Sequence, residues 1–272
     1  MNLTEALVDR QAEESMVVAD IGILGPLRIT FANDEHVLSG AKLRSILAIL
    51  AYRAGDEVRR DELIEELDLV RTTNNAVNAL HAHVVRLRRW LQPHGARRGL
   101  LKTVNSGYRL NLDRSGVDAH RFADLVRRAL NLAPGTPSVV ATILEEALAL
   151  WRGDALQDTL DGPLVAAAAD ELHQLRSAAR ETLIDAWVSL GHNQKVALNA
   201  RRFMADDPLN ESIRTRHVVA LRRMGRHAEA IESYKTAERT LHRELGVAPG
   251  RELRAAAADI VRAPTTQLTT TR

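Results

Sequence analysis

The apolar residues of this chain recur at two different spacings, and the change between them limits the fold. In residues 17–31 and 101–112 they form short runs or alternate with polar residues, which indicates short strands. Elsewhere they recur every three or four residues, as Leu43, Ile46 and Leu50 do, and this is the spacing of an amphipathic helix. The sequence therefore predicts a mainly α protein with small β-sheets.

The length of 272 residues fits two domains of ordinary size. A polar, glycine-containing segment at residues 113–117 offers a join, and we place the boundary near residue 115. We therefore expect a loose extension at 1–16, a first domain at 17–114, an all-α domain at 115–262 and a disordered tail at 263–272.

Three helices are predicted after the first strands. The first begins at Lys42 and a short second one at Asp61. The third follows Thr72, Thr73 and Asn74, whose side-chain oxygens would accept hydrogen bonds from its first free amides. Each helix has an apolar face, so the three can enclose one small core.

A hairpin is predicted at the end of the first domain. Residues 101–104 and 108–112 have the pattern of two strands around Asn105, Ser106 and Gly107, which tolerate the positive φ of a tight turn. Strands, three helices and a terminal hairpin in this order are typical of a winged helix-turn-helix. In that fold the second helix of the motif enters the major groove of DNA.

The predicted third helix has two contrasting faces. Its apolar face consists of Val77, Leu80, Val84, Leu87 and Leu91. Its opposite face carries Asn75, Asn78, Ala82, Arg86 and Arg89 and no carboxylate. Asparagine can bond adenine through two hydrogen bonds, and arginine can bond guanine or phosphate. We expect Asn75, Asn78, Arg86 and Arg89 to face the major groove, with the two asparagines near the bases.

Charge is distributed unevenly along the chain. The formal net charge is only +2, yet eight basic residues and no Asp or Glu occur between Leu69 and Leu112. Such a run suits a polyanion, although it can also be a solvated face. The candidates for phosphate contacts are Lys42, Arg44, Arg59, Arg88, Lys102 and Arg109. Asn105 and Ser106 would lie near the adjacent minor groove.

The second half is predicted to be helical and repetitive. Residues 183–208 and 218–249 resemble each other, and the second segment fits a tetratricopeptide pattern that includes Leu221, Gly225 and Ala230. Such units stack on their neighbours and commonly present a groove for a partner helix or peptide. A purely structural scaffold fits the pattern equally well.

Several short motifs occur in an order that resembles a known family. They are Lys42-Leu43-Arg44, Val58-Arg59-Arg60-Asp61-Glu62-Leu63-Ile64, Val84-Val85-Arg86-Leu87-Arg88-Arg89, Gly107-Tyr108-Arg109-Leu110, Leu148-Ala149-Leu150-Trp151-Arg152-Gly153, Asp207-Pro208-Leu209-Asn210-Glu211 and Glu244-Leu245-Gly246-Val247-Ala248-Pro249-Gly250. Their combination resembles the Streptomyces antibiotic regulatory protein family, in which an OmpR-type winged helix precedes a bacterial transcriptional activation domain. The likeness covers about residues 17 to 255.

This resemblance implies a transcriptional activator. Such a protein binds direct repeats in promoter DNA, recruits RNA polymerase holoenzyme with its sigma factor, and serves a secondary-metabolite (antibiotic) gene cluster. Two protomers side by side on the DNA are plausible, because one winged helix reads a short site. The sequence departs from the family after the second helix, where members usually carry a tryptophan and a proline-containing loop. The residues alone leave a promoter-blocking repressor or a protein-binding adaptor as alternatives.

Other function classes find little support. No zinc-protease, phosphate-binding-loop or serine-hydrolase motif occurs, so we expect no enzyme and no cofactor. His81 and His83 lie about 200° apart on a helix and cannot share a metal. The chain has no cysteine, no apolar stretch of bilayer length and no signal-peptide pattern at its start, which favours a soluble cytoplasmic protein without membrane contacts.

Overall fold

The computed structural model describes residues 19–94, 96, 99–132 and 135–262. The described residues form two compact units. The first unit comprises residues 19–127 and 146–175, and the second comprises residues 128–145 and 176–262. Each unit is described by itself. Predictions for residues 1–16 and 263–272 lie outside the described residues.

The first unit begins with an antiparallel three-stranded sheet. Its strands are β1 (Asp20–Gly22), β2 (Arg28–Phe31) and β3 (Asp34–His36), paired in that order. Alternate residues of β2 are buried, including Ile29 and Phe31, because a half-buried strand turns every second side chain inward.

Four helices and a second sheet follow in the first unit. The helices are α1 (Ala41–Tyr52), α2 (Arg60–Glu66), α3 (Leu69–Thr72) and α4 (Ala76–Leu91). The strands β4 (Glu57–Arg59), β5 (Leu101–Thr103) and β6 (Gly107–Leu110) form an antiparallel sheet in the order β4-β6-β5. α4 packs against both α1 and α2. This arrangement confirms the predicted winged helix-turn-helix.

Two details of α4 differ from the sequence prediction. The helix is capped by Asn75, whose Oδ1 accepts a hydrogen bond from the backbone N–H of Asn78 at 3.0 Å, and not by the three residues before it. The reason is that Leu69–Thr72 forms α3, so the chain re-enters helical geometry only at Ala76. Val77, predicted to be buried, is 55% exposed because it lies in the first turn, ahead of the buried positions that begin at Leu80.

The hairpin turn also differs from the sequence prediction in one respect. The backbone of Val104 and Gly107 closes a two-residue loop, but neither Asn105 nor Ser106 has the positive φ that the sequence analysis allowed for. Gly107 is needed for another reason. A Cβ on Gly107 would lie 2.0 Å from the carbonyl oxygen of Val58, so only glycine permits the close approach of β6 to β4.

A segment from the second half of the sequence completes the first unit. We call residues 151–165 the clamp segment. The buried carboxylate of Asp118 accepts hydrogen bonds from the backbone N–H groups of Ile23 at 2.7 Å and Leu24 at 3.2 Å. Arg152, from the clamp segment, donates to the same carboxylate at 3.3 Å. The start of the second half of the sequence is therefore tied to β1 and the residues after it.

The clamp segment has two further anchors. Asp158 accepts a hydrogen bond from the backbone N–H of Leu27 at 2.8 Å. Glu66, buried at the end of α2, accepts from the N–H groups of Leu164 at 2.6 Å and Val165 at 3.3 Å, and burial raises the pKa of its carboxyl group. Residues 151–165 therefore pack within the first unit, although they follow the boundary near residue 115 that the sequence suggested.

The remaining helices are α5 (Asp118–Leu130), α6 (Pro137–Ala149), α7 (Pro163–Ser189), α8 (Asn193–Asp206), α9 (Glu211–Arg223), α10 (His227–Leu245) and α11 (Arg251–Arg262). In the second unit α9 packs against α8, α10 and α11. The loops before α8 and α10 contain Gly191 and Gly225, with φ values of 71° and 74°. These matching left-handed turns occur at the same place in the two predicted repeats and confirm a tetratricopeptide-like arrangement. None of the described helices is long and apolar enough to cross a membrane.

Candidate nucleic-acid interface

The exposed face of α4 carries a line of polar and small side chains. Asn78, Ala82, Arg86 and Arg89 are exposed and recur every three or four residues, so they lie along one side of the helix. The side chains of Asn78, Arg86 and Arg89 have no hydrogen-bond or ion-pair partner within the described part of the chain. Ala82 lies between the basic and amide groups and leaves room for a base pair to approach the backbone.

Asn75 has a structural task as well. Because its Oδ1 accepts the capping hydrogen bond from Asn78, one acceptor site of that oxygen is used and the orientation of the side-chain amide is fixed by the cap. A bidentate contact to adenine needs both the oxygen and the nitrogen of the side-chain amide. Of the two predicted base-reading asparagines, Asn78 is therefore the one with a complete free amide.

The electrostatic environment of α4 is positive. Burial lowers the pKa of His83, and the nearby charges of Arg86 and Lys42 lower it further. Lys42, at the start of α1, thus adds its charge to the same region as Arg86. Both groups can attract a phosphate backbone, and Lys42 has no ion-pair partner among the described residues.

Two arginines that were predicted to bind phosphate, Arg44 and Arg59, are paired with groups within the chain. Arg44 donates to the carbonyl oxygen of Asp158 at 2.8 Å and lies 3.2 Å from its carboxylate. Arg59 forms a two-pronged ion pair with Asp61, and this hydrogen bonding lowers the pKa of that carboxyl group. These contacts leave Arg44 and Arg59 fewer free N–H groups than the arginines of the exposed α4 face have.

Arg88 connects α4 to the hairpin. It donates to the carbonyl oxygen of Leu101 at 3.1 Å and to the hydroxyl of Thr103 at 2.8 Å. The structure thus gives Arg88 the role of fixing the hairpin against the helix. A phosphate contact through its remaining N–H groups stays a prediction.

The hairpin presents one exposed cation and one exposed amide whose side chains have no partner among the described residues. Lys102 is exposed, and it faces Arg109 across the sheet, with Glu57 beyond it. Glu57 accepts hydrogen bonds from the backbone N–H and the hydroxyl of Ser106 at 3.0 and 2.7 Å, which occupies that side chain. The side chain of Asn105 has no partner among the described residues, whereas Arg109 is half-buried.

The predicted site did not include the exposed residues that follow α2. Asp68 adopts a left-handed conformation and turns the chain between α2 and α3, where Val70 and Arg71 are exposed. Arg71 was part of the basic run but had no predicted role. The feature that distinguishes Arg71 is its position in the short helix Leu69–Thr72, where the sequence suggested an irregular loop.

Comparison with known proteins gives matches over both halves of the chain. Residues 34–110 match the family described as "Transcriptional regulatory protein, C terminal", and residues 117–261 match "Bacterial transcriptional activator domain". Transcriptional regulator RedD of Streptomyces coelicolor is 36% identical over 245 residues, covering 89% of this chain and 70% of RedD. Regulatory protein DnrI of Streptomyces peucetius is 28% identical, covering 89% of this chain and 92% of DnrI.

A solved structure has the same fold. It is Mycobacterium tuberculosis EmbR in complex with a low-affinity phosphopeptide, with a TM-score of 0.80 and 28% sequence identity. The match covers 90% of this chain, and this chain spans 65% of the length of that one. RedD is named a transcriptional regulator, EmbR a transcriptional regulatory protein and DnrI a regulatory protein.

Proposed function

This chain belongs to the Streptomyces antibiotic regulatory protein family of transcriptional regulators, and we propose that it activates transcription by binding direct repeats in promoter DNA and recruiting RNA polymerase. The observation that carries the proposal is the exposed face of α4, where cations and an amide have no partner within the described chain. Unpartnered donors of this kind are available to base edges and phosphates without the loss of an internal contact.

The proposed contacts divide into two classes. Asn78, Arg86 and Arg89 face the major groove and read base edges, and Asn75 adds one donor at the start of the helix. Lys42 and Lys102 bind phosphates on either side of α4 and so fix its orientation on the duplex. Asn105, at the hairpin turn, lies close to the adjacent minor groove, as the wing of such domains does.

Recruitment needs a second partner. We propose RNA polymerase holoenzyme, including its sigma factor, as that partner, and two protomers side by side on tandem repeats. The genes served are proposed to form a secondary-metabolite cluster, because RedD and DnrI belong to the same family and come from Streptomyces. A repressor would use the same face of α4 but would exclude polymerase.

The test is a footprint on the promoters flanking the gene of this protein, at physiological salt, with and without RNA polymerase holoenzyme. We expect protection of a tandem repeat beside the upstream promoter element, strengthened by holoenzyme. Arg86→Ala should weaken protection of the repeat and relax the preference at one base pair. Arg239→Ala, on the exposed surface of α10, is the matched control and should leave it unchanged.

The outcomes distinguish the alternatives. A footprint over the transcription start that excludes polymerase would identify a repressor. Absence of selective protection on every fragment would overturn DNA reading by α4. In that case the helical repeats would be the main functional surface.

A further inference from the structure

A cavity lies among three helices of the second unit. Its volume is about 490 Å³, within the range of about 300–1,000 Å³ that is typical of small-molecule sites. One face each of α8, α9 and α10 lines it, and α9 packs against both of the other two. Leu198, Met204 and Leu221 supply an aliphatic part of the lining.

A buried histidine is part of the cavity lining. His217 is 5% exposed, its Nδ1 lies 2.8 Å from the hydroxyl of Ser233, and its Nε2 is buried without a hydrogen-bond partner among the described residues. Burial lowers the pKa of His217 to about 4, and the positive charges of Arg201, Arg226 and Arg214 act in the same direction. The imidazole is therefore neutral at pH 7 and lies in a positive field. A buried polar group without a partner costs free energy that a ligand oxygen could recover.

The two carboxylates in the cavity lining are already paired. Glu229 accepts two hydrogen bonds from Arg226, at 2.7 and 2.6 Å. Glu232 accepts one from Arg239 at 2.9 Å. Their negative charges are thus largely balanced before any ligand enters.

Two other cations of the lining form no ion pair with a carboxylate among the described residues. Arg214 is buried, and its Nε and Nη2 donate to the carbonyl oxygen of Pro208 at 2.8 and 2.5 Å, an acceptor that carries no formal charge. Asp207 and Glu211 act on it from outside the cavity lining. Arg201 is exposed and has no ion-pair partner among the described residues. The lining therefore combines excess positive charge with aliphatic surface.

We propose that this cavity binds a small amphiphile that carries a carboxylate or a phosphate on an aliphatic body. The anionic group lies near Arg201 and the imidazole of His217, and the aliphatic body packs on Leu198 and Leu221. Neither DNA nor polymerase takes part in this binding. The cavity can therefore be tested separately from the proposed promoter recognition.

The test uses four eight-carbon probes with the purified full-length chain and isothermal titration calorimetry. Octanoate and octyl phosphate carry an anion, octanol is neutral and octylammonium is a cation. We expect the better anionic probe to bind at least about tenfold more tightly than octanol or octylammonium, because hydrogen bonds to a charged group are the strong ones. Whether octanoate or octyl phosphate binds better identifies the kind of natural ligand.

Matched variants locate the site. Leu198→Glu puts a carboxylate on an exposed position of the lining and should weaken binding of the anionic probe about fivefold or more. Arg201→Gln should weaken it about two- to fivefold, as expected for an exposed cation. Leu245→Glu and Arg243→Gln are exposed controls outside the lining and should leave binding unchanged.

Three results would overturn the proposal. They are equal binding of all four probes, full binding by Leu198→Glu, and absence of binding by both anionic probes. If the peptide acetyl-Leu-Glu-Leu-amide binds in an Arg201-dependent way and the two anionic probes do not, the cavity docks a protein segment instead of a small molecule.

Discussion

Two pairs of arginines in the first unit have the same charge and opposite surroundings. Arg86 and Arg89 on α4 are exposed and have no partner among the described residues. The side chains of Arg44 and Arg152 are only 26% and 27% exposed, and each is hydrogen-bonded to an aspartate that lies more than 30 residues away in the sequence. The first pair is available to a ligand, whereas the second pair holds the clamp segment in place.

In this molecule the position of the carboxylates, more than the position of the cations, separates the proposed DNA-binding face from the rest of the first unit. Asp118 of α5 and Asp158 of the clamp segment neutralise the arginines near them. Residues 69–112 supply no carboxylate at all, so the cations of α4 stay unpaired. A guanidinium keeps its full charge in both places, but only the unpaired one can exchange counterions for a phosphate.

Removal of Asp118 is expected to give the largest effect. Asp118→Ala leaves the N–H groups of Ile23 and Leu24 without their acceptor and Arg152 without its counter-charge. Breaking such a buried pair typically costs about 3–5 kcal/mol. We expect a loss of that size in the free energy of unfolding, measured by urea denaturation followed by circular dichroism.

The control lies on the same helix. Asp124 is 67% exposed and pairs with Arg127 one turn away, so Asp124→Ala should cost less than about 0.5 kcal/mol. Similar losses for the two variants would mean that the clamp contacts contribute no more than a surface ion pair.

Substitution of an exposed arginine and of an aspartate-paired arginine should have different effects on DNA binding and on stability. Arg86→Ala should weaken operator binding by about 1–3 kcal/mol and relax the preference at one base pair, with no change in the free energy of unfolding. Arg44→Ala should instead destabilise the fold by about 1–2 kcal/mol, because it removes hydrogen bonds to two backbone carbonyls and an ion pair. Fluorescence anisotropy on operator and random duplexes, together with urea denaturation, checks both. If Arg86→Ala weakens binding to both duplexes equally, the side chain of Arg86 binds phosphate and does not read a base.

Asn75 combines both roles, because it caps α4 and is proposed to face the major groove of DNA. Asn75→Ala should cost about 1 kcal/mol of unfolding free energy through loss of the cap. Asn75→Asp keeps the acceptor, so stability should be retained, but its negative charge should weaken DNA binding. If Asn75→Asp binds DNA as tightly as the unaltered protein, Asn75 is a cap and nothing more.

Much of the α4 face was predictable because a helix carries its own geometry. The spacing of Leu80, Val84 and Leu87 fixes which side of the helix is buried, so the exposure of Arg86 and Arg89 follows from the sequence. The cap was mispredicted because three consecutive polar residues before Asn75 offered equally good oxygens. Only the formation of α3 decides among them.

The clamp segment could not be predicted, because its contacts join residues far apart in the sequence. The pair Arg44–Asp158 spans 114 residues, and the hydrogen bonds of Glu66 to Leu164 and Val165 span nearly as many. Periodicity describes one element at a time and gives no register between elements. Burial of a charged residue such as Glu66 is therefore visible only in the fold.

The smallest expected effect belongs to Lys102, whose proposed task is to bind a phosphate from the hairpin. Lys102→Gln should weaken binding to operator and random duplexes alike. It should also reduce the slope of log K against log salt by about 0.9, the value for one released counterion. Lys235→Gln, exposed on α10, is the matched control and should leave the slope unchanged. An unchanged slope in Lys102→Gln would remove the hairpin from the phosphate contacts and leave α4 and Lys42 to hold the duplex. A loss of affinity confined to the operator would show instead that the hairpin reads sequence. Base recognition would then extend beyond α4.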